Sequence, residues 1–365
     1  MSTETRRPAA DADAIRVAPG ELTLFVDSIC RRLGAPGQVA AEVAEHLIEA
    51  NLAGHDAHGV ARLAHYVAES ERGELVPAAR PQVLRRGGAS VLLDARRGFG
   101  PYAARTASEL VASAAIRHGV GVATIRHCGG LGRLGHYCEL LAHAGLVGLL
   151  TVGAAGRHAA AASAVESARG GRGTRVGRFP AADAWALGVP GTAHPVLVDM
   201  STASLAEPGS RAASPEDGPG WSGDGAEFPA LQRGFGLAVG AALLGGLAAI
   251  GDGAREVGGV CLIAIDPDAF GGLEPYRAMV AETILLLAGA DPDGAGGPLP
   301  GAAEHRSRQA RAAGIPLPRS VVADLIAVGA RFDVPTRLPR PWDAATEGSP
   351  QSVAARGAEE ASSRP

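Results

Sequence analysis

The spacing of apolar residues predicts a helical opening followed by alternating strands and helices. Apolar positions recur every three or four residues over 21–33, 38–52 and 58–70, and a glycine closely follows each segment, as is common at helix ends. Short apolar runs without that period predict strands at 90–94, 119–126, 146–152, 195–199 and 259–265. Further segments of helical period are 102–117, 134–143, 232–247, 274–287 and 319–331. The chain is therefore predicted to be an α/β protein.

Both ends and two internal stretches lack an apolar period. Residues 1–18 and 339–365 are rich in Ala, Ser, Pro and charge, which predicts disordered tails. Residues 153–177 are rich in Ala, Gly and Ser and predict a linker, and residues 208–228 predict a surface loop.

The longest apolar stretch covers residues 237–250, and glycines interrupt it. It is shorter than the roughly 20 residues that a membrane helix needs, so it predicts a buried helix. The polar N-terminus carries Arg6 and Arg7 with no apolar run behind them, which is unlike a signal peptide. These features predict a cytoplasmic protein with no membrane partner.

Composition excludes several functions. Basic residues number 34 and acidic residues 38, so the net charge of -4 argues against a nucleic-acid partner. Every basic residue other than histidine is arginine, and without lysine the chain has no Schiff-base lysine and no phosphate-loop lysine. The four cysteines contain no C-x-x-C pair, which in a chain of 365 residues predicts reduced thiols.

A G-x-G-x-x-G motif is formed by Gly130, Gly132 and Gly135 between a predicted strand and a predicted helix. One interpretation is a Rossmann turn that brings a dinucleotide pyrophosphate to the helix N-terminus. That turn also needs an acidic residue at the end of the next strand, and no carboxylate follows residue 152 before Glu166. A tight strand-to-helix turn is therefore the favoured interpretation.

Residues 54–62 hold His55, Asp56, His58 and Arg62 at the start of a predicted helix. His58 and Arg62 are four residues apart, which on a helix places them on one face. An arginine could bind a substrate carboxylate while the histidine moves a proton. The alternative is an N-cap at Asp56 beside a solvated histidine and arginine, and the spacing alone favours this alternative.

A second group of metal-ligating residue types lies close together in the sequence. His127, Cys128, His136 and Cys138 match no zinc-binding spacing, so no metal site is predicted.

Six segments in order resemble the malate/L-lactate dehydrogenase family that is unrelated to the Rossmann-type lactate dehydrogenases. This family includes ureidoglycolate, sulfolactate and diketogulonate dehydrogenases and piperideine-2-carboxylate reductases. The segments are ANLAGHDAHGVARLAHYV (50–67), GLGRLGHY (130–137), HPVLVDMSTAS (194–204), QRGFGLAV (232–239), IAIDPDAF (263–270) and GIPLP (314–318). The resemblance runs from about residue 21 to residue 334.

The resemblance implies a fold, an assembly and a cofactor. The fold would combine a family-specific, non-Rossmann cofactor domain, with a mostly antiparallel or mixed sheet, and a helical domain from both chain ends. Its boundaries would be helical residues 19–85, a cofactor-binding α/β domain over 86–295, and helical residues 296–338 that pack with the first region. The assembly would be a homodimer with the substrate near domain and subunit boundaries. The cofactor would be NAD or NADP.

Several residues match the family's functional positions. Ala57-His58-Gly59 matches a Ser-His-Gly segment, so His58 keeps a proton-transfer role, and Arg62 matches the arginine that holds the substrate carboxylate. The residues that match cofactor-binding positions, or lie beside them, are Asp199, Met200, Ser201, Thr202, Ser204, Arg233 and Gly234.

Two departures from the family pattern put the activity in question. Gly130 stands where family members usually carry a histidine, and Gly177-Arg178-Phe179-Pro180 replaces Gly-Thr-Asn-Pro. His127 or His58 could supply the missing proton carrier, with His136 a weaker candidate. We expect an NAD(P)-dependent oxidoreductase of a small 2-oxo or 2-hydroxy acid, or of a cyclic imine carboxylate, with impaired catalysis. The alternative is a non-redox relative on the same dimeric scaffold.

Overall fold

A computed structural model describes residues 14–153, 184–201, 228–249, 259–289 and 299–339. The chain divides into two compact units, one formed by residues 1–77 with 304–365 and the other by 78–303. The division, at 77/78 and 303/304, lies eight residues from each of the predicted boundaries at 85/86 and 295/296. A helical unit built from both chain ends and a separate unit containing a mixed sheet confirm the predicted fold class.

Several predicted segments lie outside the described residues. They are the linker apart from Gly153, the surface loop apart from Phe228, residues 1–13 and residues 340–365.

Helices dominate the first unit. Its elements are α1 (Pro19–Arg32), α2 (Gly37–Leu52), α3 (Arg62–Glu71), α8 (Ala302–Arg311), α9 (Arg319–Arg331), β1 (Ala14–Val17) and β9 (Ile315–Pro318). In α1 the buried residues Leu22, Phe25, Val26 and Ile29 follow the helical period and form one apolar stripe. The stripe packs against α2, and α9 packs against α1 and α3, so the helices bury their apolar faces on one another.

Strand β1 corrects the prediction of a disordered tail over residues 1–18. It pairs antiparallel with β9, with Ile15 opposite Leu317 and Val17 opposite Ile315. Val17 is buried, and backbone hydrogen bonds join the two ends of the chain. A four-residue strand is too short to show alternation in the sequence, and its partner lies about 300 residues away.

The second unit contains a seven-stranded sheet. Its strands are β2 (Gln82–Arg86), β3 (Ser90–Asp94), β4 (Val120–Arg126), β5 (Val147–Gly153), β6 (Ala184–Val189), β7 (Val196–Ser201) and β8 (Gly259–Ile265). The order is β2-β3-β4-β8-β5-β6-β7. Among these described strands, β3 and β4 pair in parallel and the other neighbouring pairs are antiparallel. The carboxyl ends of β3 and β4 therefore lie at one edge of the sheet.

Helices cover both faces of this sheet. The helices that pack on its strands are α4 (Gly100–His118), α5 (Gly135–His143) and α6 (Phe228–Gly246), and α7 (Leu273–Gly289) follows β8 in the chain. A side chain added at Gly148 would contact α5, whereas one added at Gly153 would contact α6. These positions are five residues apart on β5, so they face opposite sides of the sheet and place α5 and α6 on opposite faces.

Two strands of the seven-stranded sheet and the environment of one helix depart from the sequence analysis. Strand β2 lies within the region predicted as helical, and β6 was not predicted. The five residues of β2 are all exposed, so no buried face leaves a pattern in its sequence. The helix predicted as buried over 237–250 is buried on its sheet side only, since Leu243 is 70% exposed. No helix among the described residues has the length and apolar character needed to cross a membrane.

Candidate functional site

The segment between α2 and α3 carries His58 and Arg62. Residues Asp56–His58 form a single 3-10 turn, Gly59 is extended with φ -88 and ψ -152, and α3 begins at Arg62. The predicted helix over 58–70 is therefore wrong at its start, because Gly59 interrupts it. The shared helical face that the four-residue spacing suggested does not apply to His58 and Arg62.

Asp56 fixes this segment through an ion pair instead of a helix cap. Its carboxylate accepts from Arg311 at 2.7 Å (Nη1 to Oδ1) and 3.1 Å (Nη2 to Oδ2), and from the Asn51 amide at 2.7 Å. Buried Asn51 in turn accepts from the Val60 N–H at 2.8 Å. The N-cap predicted at Asp56 is wrong, because neither the 3-10 turn nor α3 has a side-chain cap, whereas the exposed His58 agrees with the rest of that alternative.

Ion pairs and polar contacts attach helix α8 to the end of α2 and to the segment that follows it. Besides the pair from Arg311 to Asp56, Arg308 donates to Glu49 at 2.6 Å, and the His55 ring lies 3.3 Å from Glu304. Positions 304, 308 and 311 share one helix face. Because α8 contains no buried residue, this row of polar contacts, not apolar packing, attaches it to the end of α2.

Arg62 differs from these arginines because it makes no ion pair within the described part of the chain. Its guanidinium lies 6.0 Å from the ring centroid of Tyr66, a cation–π distance that leaves the charge without a carboxylate. His58, four residues earlier, is exposed. This segment can therefore offer a planar guanidinium to an anion.

A second polar group lies where β3 and β4 end. Asp94 and Arg126 are register partners at the ends of these parallel strands, and His127 follows. His127 Nδ1 lies 3.1 Å from each carboxylate oxygen of Asp94, and Arg126 Nε donates to Oδ2 at 3.1 Å. Sequence reasoning identified His127 but missed Asp94. The available signal was an acidic residue at the last position of a predicted strand.

The backbone around Asp94 adopts an uncommon conformation. Arg96, Arg97 and His127 have φ values of 54, 58 and 48, and they are three of the four non-glycine residues with positive φ in the described ranges. Such conformations cost free energy and persist where surrounding contacts enforce them. Here Arg97 N donates to His127 O at 2.9 Å.

Asp94 is held as a carboxylate. Its burial acts to raise its pKa, but hydrogen bonds from the Arg96 N–H and the side chains of His127 and Arg126 outweigh burial. The pKa of Asp94 is consequently below its usual value.

The glycine motif leads into α5, and a protein carboxylate occupies the start of that helix. Asp199 Oδ2 accepts from the Gly135 N–H at 2.7 Å. A Cβ at Gly135 would lie 2.9 Å from the same oxygen, so glycine permits this approach. The next strand in sequence, β5, is separated from β4 by antiparallel β8. The Rossmann alternative is therefore wrong, and the motif is a strand-to-helix turn.

Buried contacts fix the rest of this turn. The fully buried Arg133 side chain donates to Glu139 at 2.7 Å, and the Tyr137 hydroxyl donates to Leu131 O at 2.6 Å. Gly130 is exposed, and its carbonyl lies so close to Gly100 that a Cβ there would overlap it.

The other predicted site residues lie on separate elements. Met200 and Ser201 follow Asp199 in β7, while Thr202, Ser204 and residues 177–180 lie outside the described residues. Arg233 and Gly234 lie in α6. His136 is 6% exposed and packs edge-on against Tyr137, with ring centroids 5.4 Å apart. The weaker candidate for proton transfer is thus a core residue.

Cysteines and metal ligands form no further centre in the described ranges. None of the four cysteines, all of which are described, forms a disulfide. Burial raises the pKa of Cys138, which keeps it a neutral thiol. No group of three His, Cys, Asp or Glu side chains is arranged to hold a metal ion in this part of the chain.

Comparison with curated proteins identifies two informative relatives. Hydroxycarboxylate dehydrogenase B of Escherichia coli O157:H7 is 32% identical over 182 residues, which cover 50% of this chain and 48% of that protein. The chain thus spans about half the length of that relative. Delta(1)-pyrroline-2-carboxylate reductase of Ancylobacter novellus is 28% identical over 353 residues, which cover 87% of this chain and 99% of the relative.

Solved structures and a family profile indicate the same family as these relatives. Malate dehydrogenase from Pyrococcus horikoshii OT3 superposes with a TM-score of 0.74 at 22% identity, covering 90% of this chain and 99% of that one, which establishes a shared fold. The profile described as malate/L-lactate dehydrogenase matches residues 17–218, more than half of the chain. The protein therefore belongs to the malate/L-lactate dehydrogenase family.

Proposed function

We propose that the protein is an NAD(P)-dependent oxidoreductase of a small 2-oxo or 2-hydroxy acid, or of a cyclic imine carboxylate. The observation that carries this proposal is the Arg62 guanidinium, which has no carboxylate partner within the described residues. The names of the two relatives, a hydroxycarboxylate dehydrogenase and a pyrroline-2-carboxylate reductase, share a carboxylate as a substrate feature. An unpaired arginine suits that group because it can bind it through two parallel hydrogen bonds.

Each proposed role follows from side-chain chemistry. Arg62 binds the substrate carboxylate. His127 or His58 gives a proton to the substrate oxygen or nitrogen during reduction and takes it back during oxidation. Both side chains are imidazoles, the group that most often acts as a general acid or base in enzymes.

The cofactor would be held by Asp199, Met200, Ser201, Thr202, Ser204, Arg233 and Gly234. The chemistry of this donor set fits a ribose. Asp199 uses one oxygen on the Gly135 N–H, and a carboxylate has further lone pairs that can accept from a hydroxyl. A bound nicotinamide supplies or receives the hydride. We also propose a homodimer, in which the exposed apolar residues Leu243, Leu285 and Leu286 would become buried.

A fluorescence titration with NADH and NADPH, followed by a screen of 2-oxo acids and cyclic imine carboxylates, tests this function. We expect saturable binding and oxidation of the reduced cofactor. Arg62→Ala should lower kcat/KM by roughly 30-fold to 1000-fold, the usual loss when one partner of a charged pair is removed. Arg72→Ala is the matched control, since Arg72 is an exposed arginine just after the same helix. Absence of saturable binding up to millimolar cofactor would contradict the proposal.

A non-redox relative is the second candidate, and Gly130 favours it. This position lacks the side chain that family members usually use, and it is exposed. If catalysis is only impaired, Gly130→His should raise kcat by on the order of 100-fold. If the wild-type protein and Gly130→His both fail to bind NADH and NADPH, the non-redox candidate replaces the first one.

A further inference from the structure

The carboxyl ends of β3 and β4 bring together a histidine and a carboxylate that no sequence motif connects. We propose that Asp94 is a positioning residue that holds His127 in the tautomer with its proton on Nδ1, so that Nε2 exchanges a proton with the substrate. The inference rests on the proposed oxidoreductase function. It identifies His127 as the proton carrier and Asp94 as the residue that orients the His127 ring.

The contact geometry determines the tautomer. Nδ1 of His127 lies 3.1 Å from both oxygens of Asp94, within hydrogen-bonding distance of each. An ionised carboxylate only accepts hydrogen bonds, so Nδ1 must carry a proton to bond with it. In the neutral ring Nε2 then holds the lone pair, and Nε2 is the atom that takes up or releases a proton.

Asp94 orients the imidazole and does not take its proton. Arg126 Nε and the Arg96 N–H donate to the carboxylate at 3.1 and 2.8 Å, and the Asp94 side chain is only 13% exposed. These donors stabilise the ionised form, whose pKa is lowered. An ionised, hydrogen-bonded aspartate fixes the ring and stabilises the imidazolium, as the aspartate of a catalytic triad does.

The backbone conformation of His127 also indicates that its side chain is held in a fixed direction. His127 has a φ of 48, although it is not a glycine, and its carbonyl is tied to Arg97 N at 2.9 Å. Strained residues concentrate where the direction of a side chain matters. The ring itself remains 41% exposed, so a substrate can reach it. The His127 ring therefore has a fixed orientation and remains accessible to a substrate.

During reduction, the hydride and the proton reach the substrate from different groups. A bound reduced nicotinamide would supply the hydride to the substrate carbonyl carbon, and the carbonyl oxygen receives the proton from Nε2 of the His127 imidazolium. The products are a 2-hydroxy acid, the oxidised cofactor and a neutral imidazole that keeps its Nδ1 proton on Asp94. An imine substrate follows the same course, with its nitrogen in place of the oxygen.

The test compares the full-length wild-type protein with Asp94→Asn. Nitrogen spectra of ¹⁵N-histidine-labelled protein, assigned with His127→Gln, report which ring nitrogen carries the proton. Glu109→Gln is the matched control, because it removes a carboxylate from an exposed arginine pair on α4. We expect the Nδ1–H tautomer in wild type and in the control, and a shift towards Nε2–H in Asp94→Asn. We also expect kcat to fall by on the order of 100-fold or more with KM changed less than about threefold.

The outcomes distinguish failure of the inference on Asp94 and His127 from failure of the proposed oxidoreductase function. An Nε2–H tautomer in the wild-type protein overturns the inference, whatever the activity. A tautomer shift in Asp94→Asn with unchanged kcat overturns it as well, because the orientation would then not matter for catalysis. Lack of NAD(P)H oxidation by the wild-type protein counts against the proposed function. In that case the spectra still decide whether Asp94 orients His127.

Discussion

The two candidate proton carriers lie on segments that are fixed in different ways. His58 lies between α2 and α3, on a segment that α8 holds through the ion pair from Arg311 to Asp56. His127 lies directly after β4, and the neighbouring parallel strand supplies its partner, Asp94. The first segment depends on charges from a helix more than 250 residues away, while the second depends on backbone pairing.

This difference indicates how each histidine can act. The described contacts of the first segment fix the backbone around His58 through Asp56, Asn51 and Val60. The contacts of the second segment reach the imidazole of His127 itself. A proton carrier benefits when its ring is oriented, and the contact with Asp94 provides that orientation for His127.

The largest expected effect separates the two histidines. His127→Gln should lower kcat by roughly 100-fold or more, since general acid–base catalysis contributes that much. His58→Gln should lower it by less than about tenfold. Steady-state NAD(P)H oxidation measures both effects, and His65→Gln, on the exposed side of α3, is the control. The reverse ranking would assign proton exchange to His58.

A smaller effect concerns the charges that hold the His58 segment. Arg311→Met removes a partly buried donor to Asp56 and Asn51 O, so the free energy of unfolding should fall by about 1–3 kcal/mol. Urea unfolding measures this change. Arg331→Met is the control, because its ion pair with Glu71 is about half exposed and should contribute less than about 1 kcal/mol. Equal losses in the two variants would show that Arg311 has no special role.

The smallest effect concerns the pH dependence that Asp94 confers. Its pKa in the folded protein is lowered, whereas an unfolded aspartate titrates near its ordinary value of about 3.9. The carboxylate therefore stabilises the fold above that value, and the contribution is lost as pH falls through the lower folded pKa. We expect wild type to exceed Asp94→Asn by about 1 kcal/mol at pH 7 and to lose that advantage in acid. Urea unfolding at several pH values measures it, and a difference independent of pH would exclude this linkage.

The sequence predicted the fold well where periodicity is strong. Helices α1, α2 and α4 and strands β3, β4, β5 and β8 lie within a few residues of their predicted bounds. The short or fully exposed strands β1 and β2 were missed, because neither shows a buried face in its sequence. The roles of His58 and Arg62 remain predictions, and the helix expected to align the two residues is broken at Gly59.

By itself, the sequence determined the α/β class, the family and the residue types available for chemistry: arginine without lysine, and histidines near Arg62 and after β4. These follow from local periodicity and motifs, which are read within a short window of residues. Only the tertiary structure decided which of those residues meet. The parallel pairing of β3 with β4 joins Asp94 to His127 across 33 positions, and folding of the chain ends joins Asp56 to Arg311 across 255. Such contacts depend on strand order and helix packing, which local patterns do not encode.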